Sequence, residues 1–219
     1  MRLPFTVEEF LGVFQSYNLA VWPVQIIAYL VGAFALYLAI KQPKYKDRII
    51  AVVLSLMWLW NGGIYHIGFF SAINKAAFLF GALFIVQGLL FFWRGVVKND
   101  LVFRFSGDRY SLIGGLFILY AMGVYPLLGA FAGHTWPHSP MFGVAPCPTT
   151  IFTFGLLLLT PNGIKKYLLA VPFLWAVVGL SAAVNLRIYE DFGLLVAGLL
   201  GTALILVRDR KRRPCLMEA

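Results

Sequence analysis

Seven apolar runs, separated by short charged or turn-rich segments, govern what this chain can fold into. They cover residues 21–40, 49–70, 76–93, 111–132, 149–160, 167–186 and 192–207. Runs near twenty residues match the hydrocarbon thickness of a bilayer, and a helix is the open structure that satisfies its own backbone there. Of the 219 residues 61% are hydrophobic and 12% charged, against about 25% charged in a soluble domain, which excludes a soluble globule. Short alternating segments of the kind a transmembrane β-barrel needs are missing from the sequence. The expectation is one all-α integral membrane domain over residues 1–219, with no visible repeat and no second water-soluble unit.

The fifth run is the short one, and its core reaches only roughly 18 Å at about 1.5 Å per residue. Loop charges decide whether it crosses. With seven crossings one side carries fifteen cations: Lys41, Lys44, Lys46 and Arg48, then Arg94, Lys98, Arg104 and Arg109, then Lys165 and Lys166, then Arg208, Arg210, Lys211, Arg212 and Arg213. The opposite side has Arg2, Lys75 and Arg187. Without the fifth crossing the cations divide nine to nine, so the positive-inside rule favours a seven-helix bundle. That places the amino terminus and Pro140 outside and Ala219 in the cytoplasm. The net charge of +9 then faces anionic lipid head groups at the inner surface instead of nucleic acid.

No basic segment followed by an apolar run and a small-residue cleavage site opens the chain, so a removable leader is not expected. Thr6 and Glu9 have capping-box spacing, and Phe10, Leu11, Val13 and Phe14 form an apolar stripe. Together they predict a short surface helix ahead of the first span.

With this orientation the reactive side chains gather outside. His66 follows Asn61 and Tyr65 near the outer end of the second run, His134 and His138 lie in the loop after the fourth, and Cys147 precedes the fifth. Asp191 and Glu190 sit in the last outer loop. Segment 133–150 has no Lys, Arg, Asp or Glu, and Pro137, Pro140, Pro146 and Pro148 stiffen it. Such a loop, carrying Trp136, Met141 and Phe142, should fold back onto the bundle. His134 and His138 have the four-residue spacing of helix-borne ligands, although Pro137 interrupts a helix there. Cys147 with Pro148 occupies a helix start, where the first amides suit a thiolate. His66, His134, His138 and Cys147 are the candidate ligands of zinc or copper. Candidate contacts for a solute are Asn61, Tyr65, His66, Trp136, Cys147 and Asp191. The bland alternatives are hydrogen-bonding anchors for the histidines and packing for the cysteine. Cys215, in the tail, reads as a free thiol.

The cores of the runs hold no Asp, Glu, Lys or Arg, which speaks against an intramembrane carboxylate relay. Gln25, Ser55, Asn61, Gln87, Ser181 and Asn185 read as hydrogen-bonding contacts between helices. Gly129 with Gly133, and Ala197 with Gly201, read as faces for close packing.

Four stretches carry a family resemblance: Pro4-Phe5-Thr6-Val7-Glu8-Glu9-Phe10; Ala20-Val21-Trp22-Pro23; Tyr65-His66 with Phe69-Phe70 and Ile73-Asn74; and Pro146-Cys147-Pro148-Thr149-Thr150-Ile151-Phe152-Thr153-Phe154-Gly155. In these the chain resembles an uncharacterised family of bacterial multi-pass membrane proteins, catalogued as a domain of unknown function. The resemblance spans nearly the whole chain and implies a bacterial inner-membrane location, with no reaction attached. Three functions are in play. The first is binding or transport of a small solute or metal ion through an outward His/Cys-lined vestibule. The second is a membrane-embedded metal- or thiol-dependent enzyme. The third is a non-catalytic subunit, in a homo-oligomer or with a membrane partner.

Overall fold

The computed structural model describes residues 4–186 and 188–212; Arg2, Arg187, Arg213, Cys215 and Ala219 lie outside them. The described residues form helices and connecting turns, with no strand. Six helices are long and apolar enough to cross a membrane: Val24–Lys41, Lys46–Ala72, Ala77–Val97, Arg109–Phe131, Lys166–Asn185 and Tyr189–Lys211. These match six of the seven apolar runs to within a few residues.

In chain order the α-helical elements are α1 (Val7–Ala20), α2 (Val24–Lys41), α3 (Lys46–Trp60), α4 (Ala77–Phe92), α5 (Arg109–Leu119), α6 (Tyr125–Phe131), α7 (Pro146–Leu158), α8 (Ala170–Asn185) and α9 (Phe192–Arg212). The Thr6 hydroxyl accepts from the Glu9 amide at 3.2 Å and the Glu9 carboxylate accepts from the Thr6 amide at 2.8 Å, so the capping box that starts α1 is formed. Past Trp60, α3 widens into a π-helix over Asn61–Phe69, a feature that recurs at functional sites.

Burial is inverted relative to a soluble protein. Leu30, Leu56, Leu79 and Leu116 are each 60–65% exposed, while Gln25, Ser55, Asn61 and Gln87 are buried. The buried groups bond between segments: Ser55 donates to the Gly88 carbonyl at 2.8 Å and Gln87 to the Leu168 carbonyl at 3.0 Å. Ser181 and Asn185 instead bond back within α8.

The short helix α7 is the centre of the bundle. Twelve of its thirteen residues are buried, and it packs against α3, α5, α8 and α9. Its threonines turn their hydroxyls inward: Thr149 and Thr150 donate to the Ala145 and Pro146 carbonyls, and Thr153 donates to Thr149 while accepting from the Trp58 indole at 2.9 Å. Pro148 has no N–H for the carbonyl of Val144, and the Tyr17 phenol supplies a donor to it at 2.7 Å. At the far end Arg208, buried, donates to the Leu157 and Leu158 carbonyls and to Thr160. Arg208 therefore caps α7, a use different from the lipid contact expected of the basic tail. Lys46 is likewise turned in, onto Asp47 and the Phe103 carbonyl.

These bonds define two ends. At the basic end, segment 101–105 is tied by Phe105 to Ala39 and by Arg104 to Leu159, and Asp209 receives the Ile164 amide. At the other end α1, the loop before α7 and the turn before α9 converge.

Candidate functional site

Between α1, the π-helical extension of α3, and the facing ends of α4, α7, α8 and α9 lies a cavity of about 520 Å³. Phe5 just ahead of α1, Phe10 and Phe14 of α1, Tyr65 and Phe70 past the end of α3, Phe80 of α4 and Trp175 of α8 line it. The α1 stripe thus turns its phenylalanines inward, with Phe14 stacked on Tyr65 at 5.2 Å. Pro140, Pro146, Cys147 and Asp191 line the cavity as well. Pro140 is buried there, which makes it a poor reporter of the outer surface.

Asp191 is 1% exposed and lies in a short 3-10 turn, Tyr189–Asp191, that leads into α9. Its Oδ1 accepts from the Tyr125 hydroxyl at 2.7 Å, and Cys147 Sγ donates to Oδ2 at 3.4 Å. The partner of the thiol is therefore a carboxylate and not one of the histidines grouped with it as candidate metal ligands. Adjoining Glu190 is fully buried; its Oε1 meets His134 Nδ1 at 3.0 Å, and its Oε2 has no partner among the described residues. A Cβ on Gly129 would lie 3.0 Å from Glu190 Oε1. Gly129 thus makes room for this carboxylate instead of a neighbouring helix. Gly133 is a turn residue at φ +90° with nothing nearby, whereas Gly201 packs on Phe154 of α7 as a small-residue face should.

The predicted site residues separate into three groups. Tyr65, Cys147 and Asp191 line the cavity together. Asn61 and His66 stand behind it. Asn61 donates to the Met57 carbonyl at 2.7 Å and to the Gly143 carbonyl at 3.2 Å, which pins the returning loop. His66 is fully buried among Tyr65, Phe70, Phe80, Phe84 and Trp175, with ring centroids 4.8–6.1 Å away, and neither ring nitrogen has a hydrogen-bond partner among the described residues. Trp136, His134 and His138 belong to the loop. Trp136 is exposed against Trp22, His134 serves Glu190, and His138 lies in a turn, so the four-residue spacing is not on a helix.

The loop does fold back: Asn18 donates to the Pro137 and Ser139 carbonyls at 2.7 and 2.8 Å, and Phe142 is buried between Tyr29 and Phe152. Among the described residues no three His, Cys, Asp or Glu side chains are grouped to hold a metal ion. His66, His134, His138 and Cys147 are therefore not brought into one zinc or copper site.

Tyr125 and the phenylalanine wall escaped sequence reasoning. Phe10 and Phe14, four apart on one face of α1, are a signal for the wall. Nothing local marks Tyr125 as the partner of a residue 66 positions away.

The chain belongs to a family of unknown function (DUF6064), whose model matches residues 7–214. No match to it is found among the curated proteins or the solved structures.

Proposed function

We propose that this member of DUF6064 is a seven-span membrane protein, amino terminus outside, that captures a small, mainly apolar solute in its outward-facing cavity as the first step of retention or passage. The observation that carries the reading is the cavity of about 520 Å³, whose lining is mostly apolar, with seven aromatic residues and one carboxylate. A concave, mainly apolar space with few polar groups is the usual form of a small-molecule site. The fifteen-to-three cation count supports the orientation and the seventh crossing, through α7. Arg94, Lys165, Lys166 and Arg210, grouped around a second, polar hollow at the opposite end, support it further.

Two measurements in intact bacterial cells test the proposal. In a background of Cys147→Ala with Cys215→Ser, an impermeant maleimide should label Thr135→Cys directly and Lys44→Cys only after permeabilisation. The reverse pattern overturns the orientation. With Cys147 restored as the sole cysteine, methyl methanethiosulfonate should modify it, and benzyltrimethylammonium or its neutral isostere neopentylbenzene should slow that reaction severalfold. Absence of protection by either guest, or, where the protonated thiol is inert, absence of binding of either guest to the purified protein, overturns capture in this cavity.

A further inference from the structure

We infer that the captured solute is a small organic cation, an alkylated ammonium carried on a compact apolar body. The inference rests on the capture reading of the same cavity and adds the charge and chemical class of its guest.

The lining is electrically one-sided. Seven of its residues are aromatic, Asp191 is its one ionisable carboxylate, and no Lys or Arg among the described residues reaches it. The aromatic faces and the carboxylate each attract a cation, and an alkylated ammonium is hydrated weakly enough to leave water for such a site. An anion would meet Asp191 with no compensating positive side chain among the described residues.

Among the described residues Asp191 also lacks a counter-charge. Its two oxygens are met by the Tyr125 hydroxyl and the Cys147 thiol, both neutral donors, and it forms no ion pair among the described residues. A buried carboxylate is costly to ionise without an opposite charge, and a cationic guest supplies the missing one.

The geometry also selects among cations. A metal ion needs several ligating atoms, and no such group is present among the described residues. A quaternary or tertiary ammonium makes few or no hydrogen bonds. It gains from the nearby carboxylate through space, without displacing the donors of Tyr125 and Cys147.

The test is equilibrium binding of benzyltrimethylammonium and of uncharged neopentylbenzene to the purified full-length protein. The cation should bind at least about tenfold more tightly than the isostere. Asp191→Asn, which keeps an oxygen for Tyr125, should remove that preference while neopentylbenzene still binds. Trp175→Leu should weaken the cation several-fold more than the isostere, and it gives an independent reading should Asp191→Asn misfold. Equal affinity for the two guests, as expected of a pocket for lipid chains, overturns the inference and leaves capture standing. A preference unmoved by both substitutions also overturns it. Binding of neither guest overturns capture itself.

Discussion

The phenol of Tyr17 accepts from the Trp60 indole at 2.7 Å and donates to the Val144 carbonyl at 2.7 Å, so one oxygen joins α1, the end of α3 and the approach to α7. Burial pushes this phenol above its ordinary range, outweighing the opposing pull of the Trp60 hydrogen bond. It therefore stays protonated, as a donor to Val144 must. Tyr17→Phe strands a buried donor and a buried acceptor and should cost about 1–3 kcal/mol in denaturant unfolding of the solubilised protein. The sign with pH follows from the raised value. The folded state holds the proton more tightly than the unfolded chain, so the stabilisation is complete below about pH 10 and is lost as pH rises above it. The variant should lack that part of the alkaline loss; an identical pH profile would rule the role out. At this scale the sequence is legible where chemistry is local. Thr6 and Glu9 announce their cap by spacing alone, whereas Phe80, Phe84 and Trp175 reach His66 from two other helices and leave no trace in its neighbours. Arg208 reads as one more cation of a basic tail because the carbonyls it caps lie about fifty positions earlier.

Between elements, two helices meet at glycines that face each other's backbone. A Cβ on Gly114 of α5 would lie 2.6 Å from the Gly155 carbonyl oxygen of α7, an obstacle that no side-chain rotation relieves. Gly12 of α1 has nothing within 4 Å of such a Cβ. Gly114→Ala should destabilise by about 1–3 kcal/mol through forced separation of the two helices. Gly12→Ala should stabilise by about 0.5–1 kcal/mol, because a helical glycine gives up more backbone freedom than alanine. Thermal unfolding of the pair in one detergent checks both signs; a loss at both positions would mean that propensity, not contact, sets the effect. The six long helices are legible because length and apolarity are properties of a single segment. The central place of α7 is not, since twelve buried residues in a run of thirteen look in sequence like a poor span.

For the whole molecule, the sequence carries sidedness through loop charge, and the structure groups basic residues at one end and the aromatic cavity at the other. The meeting of Tyr125, Cys147 and Asp191 depends on three separate helix ends, so only the assembled bundle displays it. The enclosure of α7 also sets an order of biogenesis. On the proposed topology, a segment of thirteen residues spans only about 20 Å of a hydrocarbon layer about 30 Å thick, so lipid alone is a poor destination for it. Its surroundings in the finished protein are α3, α5, α8 and α9, the last two of which are synthesised after it. The helix must therefore wait at the membrane for partners that do not yet exist. A chain ended after Lys166 and followed by a reporter should leave the reporter on the outer side in a large fraction of molecules, and extension through α9 should draw residue 166 to the cytoplasm. A short chain that already places its reporter fully inside would show that α7 inserts unaided.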